Sequence, residues 1–303
     1  MPGALMAQTP DPETPAASSL DDVIVTARRA GAPMWTIERG DSVVILIGSI
    51  EGVPRDYVWR PEALEAATRD SQRILYPMEA QASPADLLRM LWRIRTIVRL
   101  PAGTTVADYV SPELLVRLER LKADERSDLW RTDSLVSLSF DLLREAGAER
   151  RGRAVPAVVR AAARSARIPG EPVGVVRGDE LIDNLITLPP STYVRCVEAA
   201  TSAAEAGPAG AAARLDAWSG LRVPEVLANP LDQALGLCWP SGDPDIAPTV
   251  RTLWAEATNT ALGQPGVTLG VAPLRILAEP GGVLDQLEAQ GLDPRGPEWK
   301  TAP

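Results

Sequence analysis

Residues 43–47, Val-Val-Ile-Leu-Ile, are apolar at every position and are closed by Gly48, and no other stretch limits the fold as strongly. A strand with one wet face alternates polar and apolar side chains. One without a polar position has both faces covered, which puts it inside a layered sheet. Ahead of it "MWTIER" reads as a partner strand, with Gly40 and Asp41 supplying a hairpin turn. Residues 73–78, 172–178 and 266–272 read as further strands, and long helical patterns separate them. The fold class expected is α/β: a mixed central sheet with an N-terminal hairpin, flanked by helices and carrying a helical middle insertion.

Two helices declare their starts. In "SPADLLRMLWRIRTIVRL" and "SPELLVRLERLKADE" a serine (Ser83, Ser111) stands as N-cap, proline follows, and an acid sits in the first turn. The first helix spaces Leu87, Leu88, Leu91, Ile94 and Val98 along one stripe, with Arg89, Arg93 and Arg99 toward other faces. It reads as a core helix with a solvated arginine face; docking on a membrane or an acidic partner is the alternative. Residues 132–222 are alanine-rich and helical in pattern, and Gly207-Pro208 joins two helices there. Trp59, Trp92, Trp130, Trp218, Trp239 and Trp254 read as core or pocket wall.

Of the 303 residues none is histidine, which removes Ser-His-Asp triads, Cys-His dyads and His-containing zinc sites together. A formal charge of −9 disfavours nucleic acid as a partner, because phosphate would meet like charge. No run approaches the ~20 apolar residues of a membrane span. Cys196 and Cys238 are too far apart for a CxxC motif; they form one disulfide in an oxidising compartment or stay as two buried thiols. Residues 1–20 read as a disordered arm, with "ALMA" resembling the end of a clipped secretory signal, ahead of one domain over 21–303. Periplasmic or secreted placement follows from that reading. "DDVIVTARR" reads as an ordinary first strand; a similar run opens the mature part of TonB-dependent receptors.

"PMWTIERGDSVVILIGSIEGVP", "WRPEALEAATRDSQRILYPMEA" and "RTLWAEATNTALGQPGVTLGVAPLRILAEPGGVLDQLEAQG" together resemble the TraB/GumN family, related to the Tiki proteins, over residues 33–291. The resemblance implies a hairpin ending in Gly-x-x-His, a strand ending at a glutamate, an Arg-x-x-Trp helix and a second Gly-x-x-His strand. It also implies a divalent metal and hydrolase activity, as in Tiki-type members. Here the first motif falls on Gly48-Ser49-Ile50-Glu51 and the second on Gly270-Val271-Ala272-Pro273, so Glu51 and Pro273 stand in the two histidine positions. The strand-end glutamate falls near Pro77, with Glu79 as a shifted candidate, and the family's Leu-Glu pair reads Val176-Arg177. Arg251 and Trp254 persist.

A catalytic divalent metal takes about three protein ligands and an open position. Proline offers no ligand atom and arginine brings a positive charge, so no tightly held metal or other cofactor is expected. A weak hard-cation site through Glu51 and Glu79 is the residual possibility. The favoured reading is a catalytically degenerate member that binds an unknown small-molecule, peptide or protein ligand at Gly48, Ser49, Glu51, Arg177, Arg251, Trp254, Gly270 and Pro273. The rival is a peptidase or glycosidase pairing Glu51 with Glu79, Asp56 or Glu279. Ser49 is a poor nucleophile without a base nearby. Glu51 also has a purely structural reading, its carboxylate capping backbone N–H groups in a tight turn, and Arg251 and Arg177 are candidates to bind an anion or to pair with Glu51.

Overall fold

The computed structural model describes residues 31–54, 57, 61–148 and 155–300. Residues 1–30, with the "VTARR" run and the N-terminal arm, and also Asp56 and Trp59, lie outside them.

Strands β1 (Met34–Arg39) and β2 (Ser42–Ser49) form the expected hairpin, its turn made by Gly40 at φ 57°, a left-handed conformation that glycine adopts without cost. After α1 (Pro61–Arg69), β3 (Arg73–Tyr76) enters the sheet and β4 (Glu79–Gln81) leaves it for α2 (Pro84–Val98). Helices α3 (Pro112–Leu121), α4 (Leu135–Glu145) and α5 (Val155–Ala166) follow. Next come β5 (Gly170–Pro172), β6 (Val175–Arg177), α6 (Gly178–Thr187), α7 (Val194–Ser219), α8 (Val223–Ala228) and α9 (Pro230–Leu237). The chain closes with α10 (Ile246–Ala261), β7 (Gly266–Pro273), α11 (Leu274–Ala278) and α12 (Val283–Ala289). Sheet order is β1-β2-β7-β3-β5, parallel except for β1. All eight residues of β2 are buried, as its unbroken apolar run requires.

The strand expected over 172–178 divides in two. Tyr76 pairs with Pro172, and Pro77 follows on the other strand; two prolines without N–H donors end the ladder there. Pairing resumes as a separate ribbon in which Glu79 faces Val175. Gly207 interrupts α7 at φ 59°, ahead of Pro208, so the junction of two helices lies where the sequence puts it.

Both announced N-caps hold. Ser83 and Asp86 close a capping box, Ser83 N donating to Asp86 Oδ2 at 2.6 Å, and Leu114 N donates to Ser111 Oγ at 3.2 Å. The expectation of a core role for α2 fails. None of its residues is buried, and Leu88, Leu91 and Trp92 are 67, 65 and 88% exposed. Periodicity shows that a helix has an apolar side, not which way that side turns. Trp92 is likewise no part of a core, whereas Trp130, Trp218 and Trp254 are buried.

Two hydrophobic clusters hold the described residues together. One surrounds the sheet with Trp35, Ile37, Leu46, Trp218, Trp254 and Leu284. The other is helical, joining Leu118 of α3, Leu138 and Leu142 of α4, Val197 and Ala200 of α7, and Leu231 of α9. Each such side chain contributes about 1.5–3 kcal/mol by leaving water. A Cys196–Cys238 disulfide, with Cα atoms 4.8 Å apart, lies in the helical cluster. Among the described residues no helix is long and apolar enough to cross a membrane.

Candidate functional site at the strand ends

In open parallel sheets ligands bind beyond the carboxyl ends of the strands. Here β2 ends at Ser49 and runs on into Glu51. β7 ends at Pro273, directly opposite Ser49, while β3 ends at Tyr76-Pro77 and β5 at Pro172. Two of the four parallel strands thus finish in an imino acid, and one follows directly on a third. Ser49 Oγ donates to Ala272 O at 2.9 Å in a buried bond, so its hydroxyl ties the two central strands together.

Beneath the segment after β2 lies a chain of ion pairs. Arg214 on α7 donates through Nε and Nη2 to Asp232 Oδ1 at 2.9 and 2.7 Å, and through Nη1 to the main-chain O of Glu51 at 2.7 Å. Arg275 reaches the other oxygen of Asp232 with Nε and Nη2, at 3.1 and 2.8 Å. Its Nη1 lies 3.8 Å from Glu279, which accepts from Arg251 Nε at 2.5 Å. The side chains of Arg214 and Asp232 are 4% and 6% exposed. Three guanidinium groups against two carboxylates leave this cluster one positive charge in excess. Such forked, charge-assisted bonds fix geometry as well as charge.

Trp218 Nε1 donates to Gly48 O at 2.9 Å, which pins the end of β2 from the same helix as Arg214. Gly270 gives Trp254 its place. A Cβ there would come within 3.0 Å of Leu46 and 3.2 Å of the Trp254 ring, so glycine lets the indole lie closer on β7 than a larger residue would.

The sequence-predicted residues do not converge on one constellation. Glu51 is exposed, and among the described residues its carboxylate has no hydrogen-bond partner; its main-chain O, not its carboxylate, holds the turn. Glu79 accepts from Arg160 Nη2 at 2.7 Å, on the side of the sheet where Arg160 covers the Tyr76 ring. Arg177 pairs with Asp179 and is largely exposed. Arg251 pairs with Glu279, so neither arginine pairs with Glu51. Gly48, Ser49 and Pro273 do lie together at the ends of β2 and β7, while Gly270 stands further back opposite Leu46 with the Trp254 ring against it. A cleft of about 460 Å³ opens elsewhere, between α10 and the β3–β5 edge, walled by Arg73, Glu171, Leu253, Glu256 and Thr260.

The divalent metal implied by the resemblance does not fit these donors. Pro273 has none, the Ser49 hydroxyl is engaged, Glu79 is held by Arg160 and Glu279 by Arg251. Among the described residues at the strand ends Glu51 alone remains, against a requirement of about three ligands. Among the described residues no group of three or more His, Cys, Asp or Glu side chains is placed to hold a metal ion.

Sequence reasoning missed Arg214, Asp232 and Arg275. A signal existed for Arg214: positions 210, 211, 217 and 218 are Gly, Ala, Ala and Trp, so its own helix offers no acid at i±3 or i±4. A buried guanidinium so placed must find its carboxylate on another element.

No curated protein and no solved structure matches the chain. The model of the TraB/PrgY/gumN family matches residues 33–295, a span that contains the hairpin, the Arg251–Trp254 helix and β7. The chain belongs to the TraB/PrgY/gumN family.

Proposed function

We propose that this chain is a non-hydrolytic member of its family that acts by binding, in an oxidising compartment of the cell envelope. The donor set at the strand ends carries this reading: among the described residues one free carboxylate, Glu51, stands where a hydrolytic metal site needs about three ligands. The arginines and acids around it are locked to one another with one positive charge to spare, an arrangement suited to a rigid binding face. The Cys196–Cys238 disulfide supports the compartment, since such bonds persist where thiols are not kept reduced.

Elemental analysis of the protein purified without chelators, from medium supplemented with zinc, manganese and cobalt, tests the reading. Substoichiometric metal, unchanged in Glu51→Ala, is the expected result. A stoichiometric transition metal lost in Glu51→Ala would overturn it. Hydrolysis of a peptide or glycan panel, abolished by Glu51→Gln, would replace it with a carboxylate hydrolase.

A further inference from the structure

Helix α2 turns its apolar side to solvent. At 3.6 residues per turn Leu87, Leu88, Leu91, Trp92 and Ile94 fall on one side, with Arg95 among them toward the C-terminal end. Their exposures run from 46% at Ile94 to 88% at Trp92. The other side, with Asp86, Met90 and Ile97 half-buried, packs toward α6, where Arg89 pairs with Asp183. The stripe contains no acidic residue. The single acid of the helix, Asp86, is used in its N-cap. Arg93 and Arg95 are exposed and have no carboxylate partner among the described residues.

We propose that α2 is an interfacial anchor for an anionic phospholipid surface. Its five apolar side chains enter the boundary between headgroups and acyl chains, and Arg95, extending its charged end along the stripe, meets lipid phosphate. Trp92 has the amphipathic ring that favours that depth. Charge complementarity selects this occupant over a second copy of the chain. The stripe carries a guanidinium and no carboxylate, so two copies facing one another have no acid to offer it, whereas anionic lipid presents phosphate throughout. The whole chain carries a net −9, and outside α2, which itself holds three arginines against one acid, it is repelled by such a surface. That repulsion orients the molecule with α2 toward the lipid. Interfacial docking needs no spanning helix.

Co-flotation of the full chain with vesicles of phosphatidylcholine, with and without phosphatidylglycerol, tests the proposal. Binding to the phosphatidylglycerol vesicles that weakens with added salt is expected. Leu88→Ser with Trp92→Ser lowers the partition by more than about tenfold. Arg95→Glu, two units of charge at roughly fivefold each, lowers it roughly 25-fold. Because these side chains are exposed, thermal melting of the variants stays at the wild-type midpoint, which separates lost docking from lost folding. No partition into anionic vesicles at low salt overturns the proposal. So does equal partition of wild type and Leu88→Ser/Trp92→Ser. A lipid-free dimer in sedimentation that these substitutions dissociate also overturns it, since a second copy then covers the stripe.

Discussion

Arg214 and Asp232 stand 18 residues apart and meet as a buried fork, two guanidinium N–H groups on one carboxylate oxygen, while Arg275 takes the other oxygen. The cluster ties α7, α9 and α11 to the segment after β2 through the Glu51 carbonyl. Taking charges out of water costs about as much as their attraction returns, so the pair is weak evidence of net stability. Breaking one partner is another matter. Asp232→Ala leaves the buried Arg214 and the half-buried Arg275 without their shared carboxylate and is expected to lower unfolding stability by about 3–5 kcal/mol. Urea unfolding measures this. A double-mutant cycle with Arg214→Met is expected to show a combined loss well short of the sum.

The same cluster controls order at the candidate site. Arg214→Met removes the donor that holds the Glu51 carbonyl and leaves the strand ladder intact. Amide exchange at residues 50–53 is expected to quicken while exchange within β2 stays slow. Equal acceleration across β2 would show that Arg214 supports the whole sheet and does not act on the site.

How much of this was legible follows from the range of each cause. The unbroken apolar run in β2, the caps at Ser83 and Ser111 and the break at Gly207 are local, and the sequence states them directly. The family frame was also legible, because its glycines and the Arg251–Trp254 spacing survive. What escaped was tertiary. The pairing of Glu79 with Arg160 and of Arg251 with Glu279 depends on which elements lie side by side. The Pro77 and Pro172 breaks came into view only once those prolines stood in neighbouring strands. The outward stripe of α2 escaped for a different reason: the pattern is the same whether the apolar side meets a core or solvent.

The disulfide joins residues 42 apart in sequence. In the chain-entropy account a loop of that size restricts the unfolded chain by about 4 kcal/mol. Cys196→Ala with Cys238→Ala is therefore expected to shift the urea midpoint down strongly, and reduction of wild type is expected to reproduce the shift. Since the bond lies in the helical cluster, α3, α4 and α9 are expected to lose exchange protection before the sheet does.

Gly270 is a close-packed position in β7, with Leu46 and the Trp254 ring both against it. Gly270→Val forces Trp254 off β7 or bends the strand, an overpacking that costs about 1–3 kcal/mol. Gly270→Ala is expected to cost less, since neighbours must give by only a few tenths of an ångström. Near-ultraviolet circular dichroism reports displacement of the indole, and the two variants are expected to rank in the same order by spectrum and by unfolding midpoint.

Tyr193 offers a prediction in pH. Burial first, and the nearby Asp243 carboxylate second, push its phenol up to about 12. An unfolded tyrosine ionises near 10. The folded state therefore holds its proton more tightly, so the contribution to stability is complete below about pH 10 and is lost as pH rises through the folded value. Unfolding midpoints are expected to fall between about pH 10 and about pH 12, and Tyr193→Phe is expected to flatten that fall. Part of the slope is expected to persist in the variant, because burial also raises Tyr76, against the opposing pull of Arg160 and Arg164. Absorbance of tyrosinate provides the independent reading: the wild type shows a late-ionising component that Tyr193→Phe lacks. An unchanged alkaline profile in the variant would remove Tyr193 from the account.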